Sequence, residues 1–315
     1  MKSNCLILIF CCITFIAKSQ NLTPEHLKFF SIVNKGNLFF SQGNYSNAFR
    51  QYQNVYSFKE LRYLYVNNYL VCCYKISQID SLKSMLKFCI SNLGYSFEIL
   101  VQLNIGISKN DARFKDIIAN ESSLKCVFYS DKRMNFMKDL EYYYKTIRLF
   151  EEEFPKMKNY DFKYLTELKN VFDEQYTIPF MKKLITFYNF PNANDLGVGY
   201  DDYFYYLLKY IQLDSSIYNK ALFDGKIPPF QYAVIMDRHF NYDKSKRPLN
   251  DFGTKRIQIN GNLMIGEINK IDQVDNRRHK IGLPPIWQEI KHYKTPVLLS
   301  KEYEEMLKKR GITIN

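Results

Sequence analysis

The chain has 315 residues, of which 46% are hydrophobic and 17% aromatic, and it carries a formal net charge of +12. This composition excludes an intrinsically disordered chain, a collagen-like or low-complexity chain and a small disulfide-stapled scaffold. The length is sufficient for one large hydrophobic core or two ordinary ones. The positive charge is spread evenly along the chain rather than gathered on one helix, so the sequence does not predict nucleic-acid binding.

The N-terminus has the organisation of a secretory signal peptide. A short basic start precedes an apolar run from Cys5 to Ile16, and small residues follow at Ala17 and Ser19. We therefore predict a signal peptide over 1–19, cleavage before Gln20, and a periplasmic or secreted protein. A lipid anchor on a cysteine of the run is a second interpretation. No later segment is apolar for long enough to predict a membrane span.

Four cysteines remain after cleavage, and all lie among apolar residues in helical patterns. We predict that they are small buried side chains, because free cysteine is among the most buried residue types. No pair has the spacing of a zinc site, and the sequence predicts neither a metal nor a cofactor. Their disulfide state stays open. The four are Cys72, Cys73, Cys89 and Cys126.

Glycine and proline divide the chain into two parts. Residues 25–176 contain one proline, Pro155, whereas residues 177–315 contain eight. The first part should be nearly all helix, and the second a helical domain broken by turns and a little strand. The acidic run before Pro155 and the polar residues after it indicate a linker at 155–160. The predicted domains are therefore 20–154 and 161–315.

A helix–turn–helix pattern begins the first domain. Small and aromatic residues recur at the spacing at which two antiparallel helices approach closely: Gly36, Phe39, Gly43, Tyr45, Ala48 and Tyr52. This pattern resembles a tetratricopeptide repeat, a unit of about 34 residues, and a weaker second unit follows around Tyr69 and Leu82. The resemblance covers about residues 28–118. It implies a stacked helical array with a concave surface for a protein or peptide partner.

Turn signals organise the second domain. Pro228 and Pro229 open a helix that runs to His239, and a second helix spans 269–281 before Gly282. Between them, residues 254–265 alternate around Asn260-Gly261, which predicts a β-hairpin with a tight turn. The predicted fold class is therefore mainly α, a helical-repeat array followed by a mostly helical domain with one small hairpin.

Short motifs recur in order through this domain: Asp237-Arg238 on a helix, Phe252-Gly253-Thr254 before a strand, and Asp275-Asn276-Arg277-Arg278 before Gly282-Leu283. Over about residues 162–293 the order resembles an uncharacterised exported bacterial domain family, which has Asp-Arg, Tyr-Gly-Thr-Gln and Asp-x-Arg-Arg elements. The resemblance implies no established activity. This chain departs from the pattern with Phe252 for tyrosine, Lys255 for glutamine and Leu213 for an expected histidine.

Opposed charges and a glycine turn make these motifs the candidate ligand-binding site. Forked arginine donors can bind a carboxylate or phosphate, with an aspartate fixing their orientation. A buried ion-pair network that joins the two helices and the hairpin is the alternative interpretation. No catalytic residue is assigned. The candidate residues are Asp237, Arg238, Gly253, Thr254, Asp275, Arg277 and Arg278.

Two functions remain in view. The first is an exported scaffold that binds a protein or peptide through its helical repeats. The second is an enzyme, such as a hydrolase, centred on the Asp/Arg residues and degenerate because Leu213 replaces the expected histidine. The sequence contains no P-loop, GxSxG, HExxH or GxGxxG motif that would name a reaction. It determines neither the partner nor the oligomeric state.

Overall fold

A computed structural model describes most of the chain after the first 21 residues. The predicted signal peptide, most of the predicted linker at 155–160 and the Asn260-Gly261 turn lie outside the described residues. The described residues are 22–103, 105–129, 131–153, 156, 162–197, 199–208, 211, 213–239, 250–259, 262–290 and 297–312. They are mainly helical with a small sheet, which confirms the predicted mainly α class.

Helices account for nearly all regular structure in the first two thirds of the chain. They are α1 (Pro24–Ser41), α2 (Tyr45–Asn54), α3 (Val66–Lys75), α4 (Ile79–Leu93), α5 (Phe97–Gln102), α6 (Lys115–Ala119), α7 (Glu121–Phe128), α8 (Asp131–Arg148), α9 (Phe162–Phe172), α10 (Ile178–Tyr188), α11 (Ala193–Leu196) and α12 (Tyr200–Leu208). Short 3-10 turns at Lys59–Leu64 and Ala112–Phe114, and π-helical turns at Leu149–Glu153 and Asp173–Thr177, extend or connect them.

The last third of the chain combines helices with a small sheet. Its elements are α13 (Ser215–Phe223), α14 (Pro229–His239), β1 (Arg256–Ile259), β2 (Asn262–Ile265), a 3-10 turn (Ile271–Gln273), α15 (Val274–Lys280), α16 (Ile286–Glu289), β3 (Val297–Leu298) and α17 (Lys301–Lys309). The predicted helix from Pro229 to His239 and the predicted hairpin are both present.

The chain divides into two units, each packed around its own interior. One comprises Met1–Lys35 and Leu213–Asn315, and the other comprises Gly36–Gln212. This division differs from the predicted domains of 20–154 and 161–315. The N-terminal segment groups with the last third because the Asn34 side-chain amide donates to the Gly282 carbonyl at 2.9 Å. A Cβ on Gly282 would lie 2.9 Å from Phe30 Cβ.

The Gly36–Gln212 unit is built on close helix packing around aromatic rings. A Cβ on Gly36 would lie 2.6 Å from the Tyr52 ring, so only glycine fits there. Tyr52 is fully buried, stacks on Tyr65 with ring centroids 5.3 Å apart, and donates its hydroxyl proton to Asn37 at 2.8 Å. The small-and-aromatic pattern in the sequence therefore marks a real helix–helix contact.

The segment after α8 belongs to the same unit. Tyr206 donates its hydroxyl proton to Glu151 at 2.8 Å, and the Lys169 ammonium lies 3.8 Å from the same carboxylate. The acidic run at the end of this helix is therefore held by side chains of α9 and α12. These contacts account for the grouping of residues on both sides of the predicted linker.

The sheet is larger than the predicted hairpin. β1 pairs antiparallel with β2, Arg256 opposite Ile265, and β2 pairs in parallel with β3, Leu263 opposite Val297. The third strand has only two residues, too few for an alternating pattern to show in the sequence. One face of the sheet joins a core formed by Ile265, Ile268, Val274, Ile286, Val297, Leu299, Tyr303, Met306 and Leu307.

The four cysteines that follow the predicted signal peptide are free thiols. Cys72, Cys73 and Cys89 are buried as predicted, but Cys126 is exposed. The prediction is wrong for Cys126 because α7 turns only part of its surface inward. Phe128 is the buried residue of this helix, whereas Cys126 and the neighbouring Val127, which is 73% exposed, face outward. Among the described helices, none combines the length and apolar character that a membrane crossing requires.

Candidate functional site

The predicted charged residues lie on three neighbouring elements of the last third of the chain. Asp237 and Arg238 end α14, Gly253 and Thr254 lie in the loop before β1, and Asp275, Arg277 and Arg278 belong to α15. Arg238 is exposed, whereas Asp237 and Arg278 are fully buried. The loop from Asn250 to Thr254, which we call the 250–254 loop, lies against both of these buried charges.

The Asp237 carboxylate holds one side of the 250–254 loop. It accepts hydrogen bonds from the backbone N–H of Phe252 at 3.1 Å and of Thr254 at 3.2 Å, and from the Thr254 hydroxyl at 2.7 Å. Gly253 takes the left-handed conformation, with φ +67°, and a Cβ there would lie 2.4 Å from Ile286. Glycine is therefore required for the loop to wrap the carboxylate.

Arg278 holds the other side of the same loop. Its guanidinium donates to the carbonyl of Phe252 at 2.7 Å and of Pro284 at 2.6 Å, and it forms an ion pair with Glu289. Arg256 reaches the same Glu289 carboxylate at 3.3 Å. Phe252 is thus fixed through its N–H by a buried anion and through its carbonyl by a buried cation.

The remaining predicted residues have separate partners. Arg277 donates to the Asp251 carbonyl at 2.8 Å and to the Asn269 carbonyl. Asp275 accepts a hydrogen bond from the Tyr303 hydroxyl at 2.9 Å and lies 3.3 Å from Arg310, so it belongs with α17. Burial lowers the pKa of Lys255, and the nearby Asp237 carboxylate opposes that shift.

This arrangement has the geometry of the ion-pair network rather than of an open ligand site, because the described contacts of Asp237, Arg277 and Arg278 are made with the 250–254 loop and its neighbouring segments. Arg238 is exposed and none of these contacts involves it. The sequence prediction missed Glu289 and the buried Asn250, whose side chain accepts from Lys255 N–H and donates to the Gly266 carbonyl, both at 3.1 Å. Charge balance is the signal by which the sequence could have indicated Glu289. A buried arginine such as Arg278 requires an acidic partner, and Glu289 is the acidic residue that follows shortly after Pro285.

Two cavities lie in the Gly36–Gln212 unit, and α4 contributes three residues to each. The first has a volume of about 470 Å³ and is lined by Gln53, Tyr56, Tyr69, Asp80, Ser81 and Ser84. The second has a volume of about 500 Å³ and is lined by Arg62, Phe88, Ser91, Asn92, Val127, Arg133 and Asn194. We call the surface formed by both linings the α4 groove.

A stack of three side chains lies between the cavities. The Tyr56 hydroxyl is 3.3 Å from Ser84 Oγ, and the Arg62 guanidinium carbon lies 3.7 Å from the centre of the Tyr56 ring. The same guanidinium lies 5.4 Å from the Phe88 ring. Ser84, Phe88 and Ser91 follow at helical spacings of four and three, which places them on one face of α4. The two cavities are therefore neighbours along that face.

The two cavities differ in chemistry. Hydroxyl and amide groups line both cavities, but the first also has the Asp80 carboxyl group, whereas the second has the guanidinium groups of Arg62 and Arg133. Within the described ranges, no group of three or more His, Cys, Asp or Glu side chains is placed to hold a metal ion. Comparison with protein-family models, with curated proteins and with solved structures finds no match for this chain.

Proposed function

We propose that this protein is an exported scaffold that binds a protein or peptide partner along the α4 groove. The observation that carries the proposal is the pair of adjacent cavities on one helix face, with the Tyr56–Arg62 stack between them. Recognition surfaces of this kind are concave, with a few polar groups placed to fix orientation.

The dimensions of the groove suit an extended peptide. The α4 residues that line the groove run from Asp80 to Asn92, over which the helix rises about 18 Å at about 1.5 Å per residue. An extended chain advances about 3.3 Å per residue, so the groove spans roughly five residues of a bound segment. Main-chain amides of such a segment would meet the hydroxyl and amide groups of Gln53, Ser81 and Ser84 in the first cavity.

Helix spacing supports a repeat-like array. The second helices of the first two pairs begin at Tyr45 and Ile79, about 34 residues apart, which is the length of one tetratricopeptide unit. Stacked helix pairs of this kind present extended surfaces to protein partners. The proposal includes export, so we expect the recovered protein to begin at Gln20.

The enzyme alternative has less support from the same geometry. Asp237 is enclosed by the 250–254 loop with three hydrogen bonds, and Asp275 is turned toward Tyr303 and Arg310. A general acid or base needs access to its substrate. The described partners of both carboxylates belong to the protein itself.

Selection of peptides from a random display library on the purified protein tests the binding proposal. Ser84 is exposed, so Ser84→Trp fills the first cavity without disturbing the core. We expect the wild-type protein to enrich a family of related peptides and Ser84→Trp to bind them at least about tenfold more weakly. Filling the cavity removes the contact surface, since a specific peptide site loses affinity when its central pocket is blocked.

Ser122→Trp provides the matched control. Ser122 is exposed on α7 and lines neither cavity, so this variant should retain wild-type affinity. Thermal unfolding of all three proteins checks that the folds are equivalent. Failure of the wild-type protein to enrich any related peptides, or equal binding by Ser84→Trp, would overturn the proposal.

A further inference from the structure

The second cavity of the α4 groove contains a buried arginine with unused donors. Arg62 is 9% exposed, and its Nε donates to the Tyr56 carbonyl at 2.8 Å. Its guanidinium is covered by the Tyr56 ring and flanked by Phe88. Within the described part of the chain, no hydrogen bond is made by its two terminal nitrogens. A guanidinium has five N–H donors. Arg62 lines the cavity, and its terminal nitrogens are not among the buried polar atoms of the described residues that lack a partner, so they face open space in which a ligand can bind.

A second arginine adds positive charge to the same cavity. Arg133 donates to the Phe128 carbonyl and, at 3.2 Å, to the Asn194 carbonyl, and these contacts fix its guanidinium at the cavity wall. Among the described residues that line the cavity there is no Asp or Glu. The neighbouring Asp195 carboxylate accepts from the Asn192 N–H at 3.1 Å in the cap of α11. The cavity is therefore complementary to negative charge.

We propose that this cavity holds a carboxylate of an acidic peptide, seated on Arg62 with Arg133 and the Asn92 side chain at its edge. The inference rests on the proposed peptide-binding function and names the chemistry of the bound segment. The two terminal nitrogens of one planar guanidinium match the two oxygens of a carboxylate. The net charge of +12, which falls to +10 when Lys2 and Lys18 leave with the predicted signal peptide, favours approach of an acidic partner. The carboxylate comes from an Asp or Glu side chain or from the peptide C-terminus.

Asn92→Asp is the sharpest test because it adds a negative charge inside the cavity with almost no change in shape. Asn92 is exposed and its Oδ1 accepts from the Ser91 hydroxyl at 2.7 Å, which an aspartate also accepts. Asn110→Asp makes the same change at an exposed position that does not line the cavity. With a display-selected acidic peptide as the probe, we expect Asn92→Asp to weaken binding about tenfold through charge repulsion and Asn110→Asp to change it less than about twofold.

Peptide derivatives identify the source of the carboxylate. One peptide has an amidated C-terminus, and in each of the others one Asp or Glu is replaced by its amide. Fluorescence anisotropy measures the affinity of each peptide for the wild-type protein and for Arg62→Lys, which retains the positive charge but loses the two terminal guanidinium nitrogens. We expect one neutralisation to weaken wild-type binding roughly ten- to a hundredfold, and Arg62→Lys to remove most of that difference. The proposal would be overturned if every neutralised peptide bound the wild-type protein as tightly as the parent peptide. It would also be overturned if neutralisation weakened binding to Arg62→Lys as much as it weakens binding to the wild-type protein.

A separate readout distinguishes failure of this inference from failure of the proposed function. The Arg62 Nε–Hε resonance is followed by NMR while N-acetyl-aspartate is added, with the corresponding diamide and inorganic phosphate as comparison probes. A saturable shift with the dicarboxylate alone supports the carboxylate site, even where no peptide family is enriched and the binding proposal fails. No saturable shift, or tighter saturation by phosphate, contradicts the carboxylate site while leaving peptide enrichment to be judged separately.

Discussion

Asp201 shows how burial of one residue can set the pH dependence of stability. It lies in the first turn of α12, where the helix dipole favours a negative charge, and its Oδ1 accepts from the Gly199 N–H at 3.0 Å. Burial, followed by the adjacent Asp202, outweighs these effects and raises the pKa of Asp201 to about 7. As the pH rises, the unfolded chain, with a pKa near 3.9, therefore releases the Asp201 proton at a lower pH than the folded protein does.

The sign of the effect follows from proton binding. Between about pH 4 and pH 7 the folded state binds more protons at this position, so the free energy of unfolding decreases as pH rises. Asp201→Asn keeps the accepting oxygen and removes the charge. At pH 8 we expect the variant to be more stable than wild type by about 1–2 kcal/mol, a difference smaller than full burial would give because the side chain is partly exposed.

Urea unfolding of both proteins from pH 4 to pH 8 measures this difference. The gap should narrow to a few tenths of a kcal/mol, about the effect of one half-protonated group, as the pH approaches 4, where the carboxyl is protonated in the folded state and about half protonated in the unfolded chain. Parallel stability curves for the two proteins across the whole range would show that Asp201 titrates normally.

At the scale of elements, the 250–254 loop is fixed between α14 and α15 by opposite buried charges. Removal of one partner leaves the others unsatisfied, which is far more costly than the absence of the whole network. We expect Arg278→Met to lower the free energy of unfolding by about 3–5 kcal/mol, because the carbonyls of Phe252 and Pro284 and the Glu289 carboxylate lose their donor.

Arg310→Met is the matched comparison for this experiment. Arg310 is exposed and lies 3.3 Å from Asp275, so its loss should cost less than about 1 kcal/mol. Combining Arg278→Met with Glu289→Leu should recover part of the loss, since the Glu289 carboxylate is no longer left without Arg278, although Arg256 then loses its contact with that carboxylate. Unchanged stability of Arg278→Met would contradict the network and favour a ligand site at this position.

The same element shows how far a sequence can predict a site. The sequence predicts Asp237, Thr254 and Arg278 as one cluster, and Asp237 and Arg278 both contact the 250–254 loop, to which Thr254 belongs. It groups Asp275 with them, but Asp275 hydrogen-bonds to Tyr303, and it does not indicate Glu289. Spacing along a helix indicates which side chains share a face, but the partner on another element depends on how the elements pack.

For the whole molecule, burial separates the four described cysteines into one accessible and three protected thiols. Burial raises the pKa of Cys72 and of Cys73 to about 12 and also raises the pKa of Cys89, whereas Cys126 is exposed. Since the thiolate is the reactive form, we expect iodoacetamide to label one cysteine in the folded protein and four after denaturation. Intact mass after labelling measures this, and for protein recovered from the exported fraction it also reports whether the chain begins at Gln20.

Each part of that result has its own contrary outcome. Labelling of two or more cysteines under folding conditions would show that the α3–α4 packing opens on the timescale of the reaction. A mass that includes residues 1–19 would contradict cleavage of the signal peptide. Fewer than four labels after denaturation without reductant would indicate a disulfide.

Local chemistry in the sequence was enough to determine the helical class, the hairpin and several element boundaries. Gly43 with Asn44 ends one helix and caps the next, and Gly282 ends the helix after Arg278, because left-handed turns and caps depend on residues close together in the chain. Tertiary structure alone decided which distant segments meet. Residues 22–35 pack with the last third of the chain, and Arg62 and Arg133 line one cavity beside α4. Burial of apolar surface brings such groups together regardless of their separation in sequence, so a local sequence pattern does not predict these contacts.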